Sequence, residues 1–130
     1  MQEVIINEPV GEWFALASAI ITVGFGFICL LMPRLTFRIL RLRTAEGVPQ
    51  ALSESRATMS GFYFGVGILA IAFAQPLLWL ALGVSWAFTA FGRLVSILFD
   101  GGNTKFNWIS IAMEAALAAG PLIYGYTALF

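Results

Sequence analysis

LLWLALGVSWAFTAFGRLVSIL, residues 77–98, followed after a short polar turn by WISIAMEAALAAGPLIYGYTALF, residues 108–130, is the stretch on which the fold turns. Each run is close to the ~20 apolar residues that cross a ~30 Å hydrocarbon layer. Each carries one charged residue, Arg93 in the first and Glu114 in the second. Arg93 stands five residues before Leu98, and Glu114 six residues after Trp108. At roughly 1.5 Å of rise per residue, both sit about 8–9 Å beyond the turn that joins the runs. An antiparallel hairpin therefore brings opposite charges to one level. Ionisable side chains at such a depth are expensive, so the pair marks a functional site by default.

Working outward, two further apolar runs occupy residues 10–32 and 54–74. The 130 residues are 60% hydrophobic and only 11% charged, with a mean hydropathy of +0.90. A soluble domain is nearer a quarter charged. Little strict alternation and abundant Leu, Ala and Gly predict helices rather than barrel strands. The fold class expected is all-α: a four-transmembrane-helix bundle forming a single domain over residues 1–130, with spans at about 10–32, 54–74, 77–98 and 108–130. A short amphipathic interfacial helix is expected over residues 34–43, where Arg34, Arg38 and Arg41 share one face and Leu35, Ile39 and Leu42 another.

The net charge of zero hides an asymmetry. All seven basic residues fall in or beside the first and third connections, while Glu3, Glu8 and Glu12 lead into the first span. Positive-inside bias makes those connections cytoplasmic and puts both termini outside. The expected location is the bacterial cytoplasmic (inner) membrane, multi-pass. The first span has an acidic leader and no small-residue cleavage site, so it reads as an anchor rather than a signal peptide. Asn7 or Glu8 can cap a helix opening at Pro9. Cys29 is alone and reads as a small core hydrophobe. With no His and one Cys, no metal site and no cofactor are expected.

Local signals order the rest. Pro33 ends the first span, Gly47 and Pro49 mark a turn, a helix is expected to start at Pro49 and enter the membrane near Arg56, and Pro121 can bend the last helix. Gln75–Pro76 is so short a connection that spans two and three must be antiparallel neighbours. Asp100-Gly101-Gly102-Asn103 makes a tight turn, so spans three and four are neighbours as well. Ser53, Ala57, Gly61 and Gly65 recur every four residues, a ladder that lets a second helix approach closely. Packing within the bundle is its expected use; homo-oligomerisation through Gly61 and Gly65, or contact with another membrane protein, is the alternative. Trp13, Trp79, Tyr124 and Tyr126 suit the outer interface and Trp108 the inner one. Ser18 and Thr22, one turn apart, read as packing residues whose hydroxyls bond to their own backbone.

The charges have polar company. Ser85, Thr89, Arg93, Ser96 and Asp100 follow three- and four-residue steps along one helix; Arg56, Ser60 and Tyr63 do so along another. Ser110 shares a face with Glu114. The economical arrangement turns these stripes inward and satisfies Arg56 and Arg93 with Glu114, Asp100 and Glu54. The candidate ligand-binding residues are therefore Arg56, Ser60, Tyr63, Thr89, Arg93, Ser96, Asp100 and Glu114. No catalytic residues are assigned. No nucleophile elbow, phosphate loop or metal motif occurs, and a short basic helix beside a membrane does not indicate nucleic-acid binding.

Several of these residues carry a resemblance. Glu54-Ser55-Arg56-Ala57 with Gly61, Gly92-Arg93 with Ser96 and Asp100-Gly101, and the late Glu114 resemble a small bacterial membrane family catalogued as domain of unknown function 4345. The resemblance spans roughly residues 54–130. It implies a four-helix inner-membrane protein of bacteria and brings no activity, cofactor or catalytic residue with it.

The functional expectation is a non-enzymatic accessory or binding protein whose polar, cytoplasm-facing cluster holds a membrane lipid headgroup or a partner's polar group. A small proton- or solute-coupled transporter is the alternative, and a membrane-embedded enzyme of lipid metabolism, with Arg93 steering an anion and Tyr63 as a donor, is the third.

Overall fold

The chain is all-helical in a computed structural model that describes residues 2–130, with side chains from Val10 onward. The first helix begins at Gln2, so Pro9 lies inside it rather than at the opening position expected, and the side chains of Asn7 and Glu8 fall outside those described. In order, α1 runs Gln2–Leu31 and α2 Pro33–Leu40, followed by α3 over Gln50–Phe73, α4 over Pro76–Phe99 and α5 over Lys105–Leu129. No strand occurs among the described residues. Four of these helices are long and apolar enough to cross a membrane by length and composition: Val10–Leu31 within α1, then α3, α4 and α5.

Helix ends explain where the elements depart from the sequence reading. Helix α3 starts at Gln50, one residue after the Pro49 expected to open it, and the Pro49 carbonyl accepts the Leu52 and Ser53 N–H groups at 3.0 and 3.2 Å. Helix α5 starts at Lys105 rather than 108, because Thr104 Oγ1 accepts from the Asn107 N–H at 3.2 Å and caps it. The amphipathic helix stops at Leu40, short of 43. There Arg41 turns left-handed (φ 59°, ψ 40°) and its N–H reaches the Arg38 carbonyl. The Leu42 N–H closes on the Phe37 carbonyl at 2.7 Å, completing a Schellman end.

Helix α4 packs most extensively on α5, and α1 packs on α3 and on α5, while α3 touches α4 sparingly. The core runs through Ala15, Ala19, Ala70, Trp79, Leu82, Trp86, Leu117 and Ala118. Close approach is set by glycines outside the expected ladder. A Cβ at Gly67 would lie 2.8 Å from Val23 Cγ2 on α1, and one at Gly83 would lie 2.9 Å from the Leu122 backbone nitrogen on α5. Gly61 and Gly65 are exposed, and an added Cβ at either meets nothing within 4 Å. The ladder therefore faces away from its neighbours in the fold. A four-residue repeat places small residues on one side of α3 but does not say which side a neighbour occupies. Trp79 is likewise buried, edge-on to Tyr124 at 6.1 Å, instead of standing at the surface with Trp13.

Two prolines each free a carbonyl, and each carbonyl is taken up by a serine from another helix. Pro33 has no N–H to offer the Cys29 carbonyl one turn back, and Ser55 Oγ donates to it at 2.8 Å. Pro121 leaves the Leu117 carbonyl free inside α5, and Ser18 Oγ of α1 donates to it at 2.6 Å. Thr22 Oγ1 returns to its own backbone at Ser18 (2.7 Å) while accepting from Trp86 Nε1 at 2.9 Å. Ser18 and Thr22 thus tie α1 to α5 and α4, beyond the packing role expected of them.

Candidate functional site

Arg93 lies in the penultimate turn of α4 and Glu114 in the third turn of α5, so the Asp100–Thr104 connection sets their alignment. Arg93 Nε donates to Glu114 Oε1 at 2.9 Å and Nη2 to Oε2 at 2.7 Å. This is the two-pronged geometry that makes guanidinium–carboxylate pairs strong. The third prong, Nη1, donates to Asn107 Oδ1 at 3.0 Å. Asn107 is aimed in turn by its own donation to the Gly102 carbonyl at 2.8 Å. The Gly102 N–H bonds back to the Ser96 carbonyl at 3.2 Å. The loop therefore orients Asn107, which orients Arg93. The Glu114 side chain is 3% exposed and that of Arg93 21%; the carboxylate is buried and the guanidinium has one open side.

That side faces a cavity of about 720 Å³. Every helix contributes to its wall: Phe25, Ile28 and Cys29 from α1; Thr36, Ile39 and Leu40 from α2; Met59 and Tyr63 from α3. Trp86, Thr89 and Arg93 follow from α4, and Phe106, Ile109, Ser110, Met113 and Glu114 from α5, with Arg41 and Lys105 completing it. Tyr63 stacks on Trp86 at 5.7 Å with 16° between planes, and Phe25 meets Trp86 edge-on at 5.8 Å. The wall is mostly apolar and aromatic, with a few polar groups, which is how small-molecule sites are built.

The expected constellation divides. Tyr63, Thr89, Arg93 and Glu114 come together at this cavity. Thr89 spends its hydroxyl on the Ser85 carbonyl at 2.8 Å. Arg56 does not join: it turns to the end of α1 and donates from Nη1 to the Leu30 carbonyl at 2.6 Å. Helix ends leave carbonyls without partners, and α1 recruits this cation for one of them. Glu54 accepts from Thr58 Oγ1 at 2.8 Å rather than from Arg56. Asp100 is exposed at the end of α4 and stands outside the only ion pair among the described residues. Ser60 is buried on α3 and Ser96 half-buried on α4, yet neither lines the cavity. Near residues 55–59 the π turn of α3 interrupts the α-helical repeat on which the Arg56/Ser60/Tyr63 stripe was counted.

Other residues belong to the site. Asn107 stands two turns before Glu114 on the same face of α5, a spacing that could have marked it. Arg41 reads in the sequence as part of the basic face of the interfacial helix and Lys105 as a topological charge, and neither is placed there with Arg93 and Glu114. Phe106 carries both guanidinium groups, with Arg41 Cζ 5.2 Å and Arg93 Cζ 5.9 Å from its ring centre. Among the described residues no three His, Cys, Asp or Glu side chains cluster as metal ligands would.

The family model described as "Domain of unknown function (DUF4345)" matches residues 10–126, and the chain belongs to that family. No curated protein and no solved structure matches it.

Proposed function

For this member of the DUF4345 family, we propose a non-enzymatic binding role in the bacterial inner membrane: a four-helix transmembrane bundle that holds an amphipathic molecule at its cytoplasmic end. Support for insertion comes from large apolar side chains turned outward along the long helices. Phe62 (76% exposed), Phe88 (68%) and Leu98 (68%) are examples, and soluble monomers rarely display such continuous apolar surface. The arginines of α2 then lie at headgroup level, each gaining roughly 1 kcal/mol from anionic lipid. Positive-inside bias orients the 41–49 and 100–104 connections inward and both termini outward.

One observation carries the binding role: the Arg93–Glu114 pair forms part of the wall of an otherwise apolar cavity of about 720 Å³. A pair needed only for helix docking has no use for an open side. Both oxygens of Glu114 accept from Arg93, and no hydroxyl or thiol among the described side chains bonds to the carboxylate, which supports binding over catalysis. The outward stripe of Ser53, Ala57, Gly61 and Gly65 supports close approach by another membrane helix, from a second copy or a partner protein.

The test is mass spectrometry of what the protein retains after gentle extraction. The wild type should carry an amphiphile in about stoichiometric amount. Arg93→Ala should lose it, and Arg93→Ala and Glu114→Ala should each lose roughly 3–5 kcal/mol of stability by leaving a buried charge alone. The double Arg93→Met/Glu114→Met variant keeps the fold, since apolar replacement of a buried pair is often neutral, and it too should come out empty. An unchanged set of retained molecules in the folded double variant overturns the reading.

A further inference from the structure

The cavity's charges do not cancel. Its lining holds three cations, Arg41, Arg93 and Lys105, and one carboxylate, Glu114. Glu114 is committed to Arg93 through both oxygens. Among the described residues neither Arg41 nor Lys105 has an ion-pair partner.

Arg41 is also placed at a backbone cost. It holds φ 59° at the position just past α2 where glycine is the usual occupant. Left-handed backbone at a non-glycine residue persists where the surroundings over-determine it, and such places cluster at binding sites. This turn carries the guanidinium over the Phe106 ring at 5.2 Å. Phe106 is the second residue of α5 and Lys105 the first. Both free cations therefore stand at one helix N-terminus, whose unpaired N–H groups add partial positive charge. Behind them the wall turns apolar through Ile39, Phe25, Ile28 and Met59.

We infer that the cavity takes a single-chain amphiphile with an anionic head, a carboxylate or phosphate, held by Arg41 and Lys105 against the open side of Arg93 while the chain lies along the apolar wall. The assignment rests on the binding role proposed above and names its ligand class. A volume of about 720 Å³ lies within the range of small-ligand sites and has room for one hydrocarbon chain. The head cannot displace Glu114 from Arg93 without stranding a buried carboxylate. It meets the two cations that have no carboxylate of their own.

The experiment is native mass spectrometry of the full chain released from detergent, with three probes: hexadecyl phosphate, hexadecanol and inorganic phosphate. Hexadecyl phosphate should be retained one to one, and hexadecanol at least about tenfold more weakly, the worth of a charge-assisted contact. Arg41→Gly relaxes the backbone while removing the charge, so Arg41→Gly/Lys105→Gln should fold as the wild type by circular dichroism. It should bind hexadecyl phosphate about tenfold more weakly. Equal retention of hexadecanol, with no effect of the double variant, overturns the anionic head and leaves the cavity as a lipid site. Inorganic phosphate retained as well as hexadecyl phosphate overturns the chain-bearing ligand in favour of a free anion. Retention of neither amphiphile overturns this inference and the binding role together.

Discussion

Ser18 and Ser55 do at the residue scale what water does for soluble helices: they satisfy carbonyls that a proline has freed. Ser18 Oγ reaches the Leu117 carbonyl at 2.6 Å, the acceptor that residue 121 would serve if it had an N–H. This predicts a coupling. Ser18→Ala should cost about 1–3 kcal/mol where Pro121 is present, the penalty of a buried unsatisfied carbonyl. In a Pro121→Ala background the restored amide should make the same change nearly silent. Unfolding of the four proteins of this double-mutant cycle, followed in a denaturing-detergent titration, measures the difference; equal losses in both backgrounds sink the account. Neither serine's role was legible beforehand. A proline announces which carbonyl it frees, but which residue fills the gap depends on how a distant helix is rotated.

At the scale of elements, glycine position separates packing from permissiveness within one helix. Gly83 and Gly92 both lie inside α4. An added Cβ at Gly83 would come within 2.6 Å of Leu122 Cγ and 2.9 Å of its backbone nitrogen, whereas one at Gly92 meets nothing within 4 Å. Gly83→Ala should therefore destabilise by about 1–3 kcal/mol through forced separation of α4 and α5. Gly92→Ala should stabilise by up to about 1 kcal/mol, since alanine is the better helix former. Thermal unfolding of the two purified variants checks the opposite signs, and a shared sign contradicts the packing described. The apolar stretches located all four long helices within a few residues. The departures sit at caps, where Arg41 and Thr104 bond locally in ways hydropathy does not register.

For the whole molecule, the proposed orientation rests on charge distribution, and chemistry can address it directly. With Cys29 replaced by alanine, a cysteine at exposed Glu46 should react with a membrane-impermeant maleimide only in inverted vesicles. One at exposed Gln75 should react only in intact cells. Labelling on the opposite faces, or of each position from both, overturns termini-out topology. The same end of the molecule where the arginines gather is the end at which all five helices line one cavity. On the proposed reading, the charge that orients the chain and the charge that recognises a ligand come partly from the same residues.

Sequence alone determined the helical class, the four long apolar helices and the common level of Arg93 and Glu114. Those properties are local: hydropathy over twenty or so residues and a fixed rise per residue carry them. Only the tertiary structure decided which other polar groups face inward. Arg56 went to the end of α1, Asp100 to the surface, Arg41 and Lys105 to the cavity wall, and Asn107 to the Arg93 guanidinium. Facing depends on the rotation of each helix about its axis. A π turn, a left-handed arginine and a threonine cap reset that rotation over distances no single-helix repeat can see.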